Sequence, residues 1–218
     1  MDLALLTNTL PIERRLALAY TPARARGAVL ALLALDQRMA ALVHDAREPV
    51  LGQIKLAWWR DQLGKAADAR PGGEPLLQLI GAWGDQGAAL IGLVDGWELA
   101  LDGELTPAQV IAGLAQGRAR ASAALAVLLG HGNAAGEAAR AAHGWTLAEF
   151  AASAGQRGEH AELAQLLAAQ DWQPVRLPRD LRAITVLFGL ARKARGDRPL
   201  LSGPLAGLAA IRLGLLGI

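Results

Sequence analysis

Apolar residues recur along most of the chain at the three- and four-residue spacing of amphipathic helices, and alternating strand patterns are scarce. Good helix formers, above all Ala, Leu and Arg, dominate the sequence. The pattern predicts an all-α protein with eight to ten helices in one bundle. The predicted helices cover residues 21–46, 48–65, 76–83, 86–101, 106–129, 134–154, 159–169 and 178–194, with a short apolar helix at the end of the chain.

Several short signals set the predicted helix ends. Thr21-Pro22 predicts a helix start with Thr as the N-cap and Pro at the first helical position. The segment Thr106-Pro107-Ala108-Gln109 has the pattern of a capping box. We find no internal repeat and no linker long enough to separate domains, so residues 1–218 are predicted to form a single domain.

The composition narrows the classes of function. The 218 residues suffice for one domain with a substantial core, and 53% of them are hydrophobic against 19% charged. Such a balance indicates broad apolar helix faces, a large cavity or an interface. The absence of cysteine excludes disulfides and thiolate metal sites, and a net charge of only +2 gives no case for a nucleic-acid partner.

Basic residues are concentrated near the end of the chain. Between residues 176 and 198 seven of them stand against two acids, Asp180 and Asp197. A solvated surface and attraction to an acidic membrane or partner are both compatible with this cluster. No run reaches the roughly 18 uncharged apolar residues of a spanning helix, and no signal peptide is evident. The predicted location is the cytoplasm, with peripheral contact at the inner face of the membrane left open.

Few carboxylates fall where a site would need them. Asp36 lies on an otherwise apolar helical stripe. Three roles are open for it: a structural carboxylate paired with an arginine or an indole N–H, a displaced metal ligand, or a binding contact. Asp95, Glu98 and Asp102 are spaced to share one helix face. That face is either a solvated or ion-paired surface or the polar lining of a cavity.

The segment Trp58-Trp59-Arg60 is the strongest local signal. Adjacent tryptophans point about 100° apart on a helix, so one is predicted to pack inward and the other to lie near a helix–helix seam with its N–H bonded. Arg60 is predicted either to bridge helices through Asp36 or Asp95 or to contact a diphosphate. The four histidines (His44, His131, His143 and His160) show no metal-ligand spacing.

Residues 31–63, with the sequence LAWWR at Leu56–Arg60, resemble the first conserved block of the squalene/phytoene synthase family. The segments 95–99 (DGWEL), 143–155 and 177–182 (LPRDLR) look like later blocks of the same family, so the resemblance extends over most of the chain. It implies an isoprenoid-synthase type of all-α fold around a central cavity.

The chain departs from the family at the aspartates. In the family two opposed aspartate-rich motifs hold the magnesium ions that bind a prenyl diphosphate. The matching positions of the first motif read Ala40, Ala41 and His44, and between residues 141 and 157 the only carboxylate is Glu149. The chain therefore looks most like the divergent branch without these motifs, which includes a mitochondrial complex I assembly factor.

The resemblance favours a non-catalytic protein that acts in binding or in the assembly of respiratory complex I at the membrane. It would have a protein partner or a prenyl or lipid ligand, and no catalytic residue, metal ligand or cofactor. Cavity-lining residues are predicted at Asp36, Trp59, Arg60, Asp95 and Glu98. The alternative is a magnesium-dependent head-to-head prenyltransferase of the squalene/phytoene synthase type, which acts on prenyl diphosphates in isoprenoid biosynthesis.

Overall fold

The computed structural model describes residues 3–154, 161–195, 199–201 and 204–217. Within these residues the chain forms eleven α-helices and no β-strand, which confirms the all-α prediction. The helices are α1 (Leu3–Asn8), α2 (Ile12–Ala19), α3 (Ala23–His44), α4 (Pro49–Gly64), α5 (Pro75–Gly81), α6 (Ile91–Glu98), α7 (Pro107–Leu128), α8 (Ala135–Ala154), α9 (Ala161–Ala169), α10 (Arg182–Ala194) and α11 (Pro204–Leu216). Short 3-10 segments join them at Ala67–Ala69, Gly84–Leu90, Leu99–Leu101, Gly132–Ala134 and Arg179–Leu181.

Helix α3 is the central helix of the bundle and contacts α2, α4, α5, α6 and α7. Ten of its 22 residues are buried, and nine of these ten are apolar. By length and composition α3 could cross a membrane, since it has an 18-residue window of high mean hydropathy, but half of that window is buried inside the protein. The apolar character of α3 is therefore accounted for by its place in the core.

Helices α6, α7 and α8 form a closely packed layer beside α3. Helix α7 packs along both α6 and α8, and α10 lies against α8, α2 and α11. The backbones of α6 and α7 approach each other closely at Gly92 and Gly117. A Cβ atom at Gly117 would collide with the carbonyl group of Gly92, so the approach requires a residue without a side chain. This close approach brings the side chains of α7 within reach of the centre of the bundle.

Most helix ends lie within two or three residues of their predicted positions. The capping box at Thr106 and Gln109 is present, and Pro49 opens α4 at its first turn. Helix α3 begins at Ala23 with Pro22 as its N-cap, so Thr21 does not cap it.

The prediction of one continuous helix over residues 86–101 is wrong. It divides into a 3-10 segment, α6 and a second 3-10 segment. The two helix types have similar spacing, so an apolar pattern does not separate them. Helices α1 and α2 were not predicted, because each is too short to give a sustained pattern.

Candidate functional site

Four charged side chains from four helices meet in the middle of the bundle. They are Arg14 of α2, Asp36 of α3, Arg118 of α7 and Glu149 of α8, and we call them the buried ion cluster. Arg14 is 3% exposed, while Asp36 and Arg118 are each 1% exposed. Only the side chain of Glu149 reaches partly to solvent, with 18% of its surface exposed.

Each arginine of the cluster bridges both carboxylates. Arg14 Nη1 lies 2.7 Å from Asp36 Oδ2, and Arg14 Nη2 lies 3.1 Å from Glu149 Oε1. Arg118 Nη2 is 2.7 Å from the same Asp36 oxygen, and Arg118 Nη1 pairs with Glu149 Oε2. Two positive and two negative groups therefore close onto one another, and the cluster carries no net charge.

Aromatic residues enclose the cluster. The indole Nε1 of Trp97 donates a hydrogen bond of 2.8 Å to Asp36 Oδ1. The guanidinium carbon of Arg118 lies 4.6 Å from the ring centre of Trp145 and 5.2 Å from that of Phe150. The guanidinium of Arg14 lies 5.3 Å from the Trp145 ring. The aromatic faces thus cover the cations while the carboxylates neutralise them.

The cluster fixes the charge state of its carboxylates. Burial acts to raise the pKa of Asp36, but the Arg118 and Arg14 guanidinium groups outweigh it, and the pKa is lowered. The pKa of Glu149 is lowered in the same way, against burial and against the neighbouring charge of Asp36. For Arg14, burial acts to lower the pKa, but Glu149 and Asp36 raise it above its ordinary value. Arg14, Asp36 and Glu149 are therefore ionised at neutral pH.

The surroundings of Asp36 bear directly on magnesium, which the resembled family would hold on this helix. Magnesium is held in octahedral geometry by one or two carboxylates with free oxygens, together with waters and phosphate oxygens. Both oxygens of Asp36 are already engaged, one by two guanidinium groups and the other by an indole N–H. Asp36 therefore has the structural pairing that was one of its predicted roles, and the cluster does not fit a magnesium ion.

The positions that match the first aspartate motif, Ala40, Ala41 and His44, lie in the last turns of α3. Ala40 is half-buried and packs against the core, and His44 is exposed at the end of the helix. In the described part of the chain, no group of three His, Asp or Glu side chains is arranged to hold a metal ion. On α8, Glu149 is committed to the arginines, and Gly155 of the predicted second block lies outside the described residues.

A second, partly exposed ion pair links α4 to α6. Arg60 Nε donates to Asp95 Oδ1 at 2.9 Å, and Arg60 Nη2 pairs with Glu98. The hydrogen bond from Arg60 to Glu98 raises the pKa of the guanidinium and outweighs burial, which acts to lower it. The predicted bridge through Asp95 is thus present, and Asp36, the other predicted partner, is held in the buried ion cluster instead.

Asp102 does not share the face of Asp95 and Glu98 as predicted. Helix α6 ends at Glu98, and Asp102 follows a 3-10 turn with an extended backbone. Its carboxylate accepts a hydrogen bond from the backbone N–H of Glu104 in its own loop. The shortened helix therefore removes one of the three carboxylates from the predicted row.

The tryptophan pair divides between core and surface. Trp59 is 4% exposed, and its neighbour Trp58 is 41% exposed. The rings meet edge to face with centres 5.3 Å apart. The prediction that one tryptophan packs inward is confirmed, and the role of Trp59 in lining a ligand cavity stays a prediction.

A cleft of about 400 Å³ opens at a different place, between α7, α8 and α9. Its polar groups bind mainly one another, as where His143 Nδ1 lies 2.7 Å from Gln170 Oε1. None of the five predicted site residues lines it. The cleft is lined by Gln116, Ala119, Ala139, Arg140, His143, Leu166, Ala169, Gln170 and Asp171.

Sequence reasoning missed Arg14, Arg118 and Trp97 as partners of Asp36. Arg118 gave one usable signal, because it lies at three-residue helical spacing from the small apolar residues Ala115 and Ala121 of α7. A charged side chain on such a face is rarely buried unless it is paired. Arg14 gave none, since α2 was not predicted and Arg15 stands beside it.

Residues 13–95 match the family model described as squalene/phytoene synthase. This span runs from α2 into α6 and includes Arg14 and Asp36, but it stops short of Trp97, Arg118 and Glu149. The similarity is therefore narrower than the resemblance over most of the chain that was predicted. No curated protein matches the chain. No solved structure matches it either.

Proposed function

We propose that this chain is a non-catalytic relative of the squalene/phytoene synthases that acts as a binding or assembly protein. The buried ion cluster carries the proposal. In the resembled family, carboxylates on the helices corresponding to α3 and α8 hold metal ions. Here Asp36, the one carboxylate of α3, and Glu149, the carboxylate of α8 that points into the bundle, neutralise two internal arginines.

The chemistry of the cluster supports a structural role for this part of the bundle. A carboxylate that is already shared by two guanidinium groups has little capacity left for another cation. Releasing it would leave a buried arginine without a counter-charge, which costs about 3–5 kcal/mol. We therefore infer that the helices were retained as a scaffold, in which arginine side chains take the place of the metal ions that the family binds.

The proposed partner is respiratory complex I or one of its assembly intermediates, at the inner face of the membrane. This part of the proposal rests on the likeness of residues 31–63 to the family branch without aspartates. The predicted binding residues are Asp36, Trp59, Arg60, Asp95 and Glu98. Of these, Arg60, Asp95 and Glu98 lie close enough to solvent to contact a partner directly.

The alternative is a magnesium-dependent prenyltransferase, which the family match over residues 13–95 favours. Calorimetric titration with a non-reactive farnesyl diphosphate analogue, with and without Mg²⁺, distinguishes the two. We expect no heat of binding at millimolar ligand in either case. Magnesium-dependent binding of the analogue would overturn the non-catalytic proposal.

The assembly role needs a separate test in the source organism. Deletion of the gene should lower the amount of assembled complex I, measured by native electrophoresis and NADH oxidation, while other respiratory complexes stay unchanged. Complementation with the wild-type gene should restore the complex, and complementation with a charge-reversed Arg60→Glu variant should restore it poorly. Normal complex I in the deletion strain would contradict the assembly role.

A further inference from the structure

Helix α4 carries apolar side chains on its outer face as well as on its inner face. Among the described residues, ten large apolar side chains are exposed, and four of the ten belong to α4. Val50 and Ile54 are each 61% exposed, Leu51 is 51% exposed and Trp58 is 41% exposed. Together with exposed Ala57 they form one continuous stripe, which we call the α4 stripe. Such a concentration marks an interaction surface.

The inner face of α4 already supplies its share of the core. Leu56, Trp59 and Leu63 are buried against the bundle, so the α4 stripe is not needed for folding of the single chain. An amphipathic surface helix normally turns polar residues to water. The α4 stripe therefore calls for a partner surface.

The charges at the ends of the α4 stripe identify the partner. Arg47 precedes Ile54 by seven residues and Asp61 follows it by seven, and both are exposed. Neither has an ion pair within the residues that the structure describes. Arg47 lies in the turn two residues before Pro49, the first residue of α4, and Asp61 lies in the last turn of the helix. The stripe thus has a cation just beyond its N-terminal end and an anion at its C-terminal end.

This arrangement is complementary to itself. If two copies of α4 pack antiparallel about a two-fold axis at Ile54, each residue faces the one equally far from Ile54 in the other copy. Val50 then lies opposite Trp58, and Leu51 lies opposite Ala57. The N-terminal end of each α4 then lies beside the C-terminal end of the other, which brings Arg47 toward Asp61 of the other copy. Apolar residues therefore pair along the helices and opposite charges approach each other at both ends, as a two-fold interface requires.

A lipid surface suits the α4 stripe less well. Asp61 lies on the axis of the stripe, one turn beyond Ala57 and Trp58. Insertion of the apolar residues among acyl chains would carry this carboxylate toward the lipid, where an ionised side chain is costly. Against a second copy of the chain, the same carboxylate gains Arg47.

We propose that the protein forms a homodimer through antiparallel pairing of α4, centred on Ile54. A surface of one helix stripe is small, so the dimer belongs to the weak class with a dissociation constant in the micromolar range. The pairing does not depend on whether the protein is catalytic. It would place the Arg60 ion pairs of the two copies on the flanks of one shared surface.

Sedimentation equilibrium of the full chain from about 1 to 500 μM tests the dimer, because this range spans a micromolar dissociation constant. We expect the mass to rise from one chain to two, with a blue shift of Trp58 emission as it becomes covered. Ile54→Glu places two like charges at the axis and should leave a monomer at every concentration. The matched control Val127→Glu changes an apolar residue that is 46% exposed on α7 and should dimerise normally.

Charge exchange tests the register. Arg47→Glu and Asp61→Arg should each weaken dimerisation by about fivefold or more, and the double variant should return to within about twofold of the wild type. A wild-type monomer throughout, equal effects of Ile54→Glu and Val127→Glu, or no rescue by the double variant would each overturn the proposal. So would a monomer that sediments with phosphatidylglycerol vesicles through the α4 stripe.

Discussion

At the scale of single residues, the buried ion cluster engages two carboxylates and two arginines with one another. Arg118 is the member on which both carboxylates depend most directly, since it pairs with Asp36 and Glu149 while it lies under Trp145. A buried ion pair is rarely a large net gain, because desolvation offsets the attraction. Its members are nevertheless interdependent, since loss of one leaves the others charged and buried.

This interdependence predicts the effect of removing Arg118. Arg118→Met keeps an unbranched apolar stem but leaves two carboxylates to share Arg14, so the free energy of unfolding should fall by about 3–5 kcal/mol. Urea denaturation followed by circular dichroism measures the loss. The control is Arg120→Met on the same helix, where the arginine is exposed and the change should stay within about 0.5 kcal/mol. Equal values for the two variants would show that the cluster does not act as a unit.

At the scale of elements, the packing of α6 against α7 depends on the absence of a side chain at Gly117. The obstacle to a Cβ atom there is the backbone of Gly92 rather than a flexible side chain. The two helices would have to separate, and Arg118, the next residue on α7, would move with them. The helix spacing and the geometry of the ion cluster are therefore linked.

Gly117→Ala should destabilise the protein by about 1–3 kcal/mol, although alanine favours helices. Gly136→Ala is the matched control, because it also lies in a helix but its Cβ would have open space. That variant should keep the stability or raise it by up to about 1 kcal/mol. Thermal unfolding of both variants compares them, and a stabilised Gly117→Ala protein would contradict the close approach.

The sequence was sufficient to predict those elements whose signals come from neighbouring residues. The capping box at Thr106 and the proline start of α4 involve neighbouring residues, and both are present. The partners of Asp36 could not be found in this way, because Trp97 and Arg118 lie on helices whose placement depends on the whole bundle. For Asp102, a single 3-10 turn rotated the side chain away from the predicted face.

At the scale of the whole molecule, the lowered pKa values of Asp36 and Glu149 make stability depend on pH. Groups with a depressed folded pKa stabilise the protein fully above their ordinary values of about 4 and lose that contribution as pH falls through the lower folded values. The urea midpoint should therefore be steady from pH 7 to about 5 and fall steeply below about 4. Glu149→Gln removes one titrating group, so its midpoint should start lower and fall less steeply. If the urea midpoints of the two proteins fell in parallel with pH, the assignment of Glu149 as a titrating group with a lowered pKa would be contradicted.

The buried ion cluster also has a consequence for the order in which the chain can fold. Arg14 and Glu149 are separated by 135 positions, so their pairing must wait until most of the chain has been synthesised. Until α7 and α8 leave the ribosome, Asp36 and Arg14 can pair only with each other, and Glu149 and Arg118 are missing from the core. A fragment limited to residues 13–95 should therefore remain an open, chaperone-dependent intermediate, and the final compaction should occur in one late step.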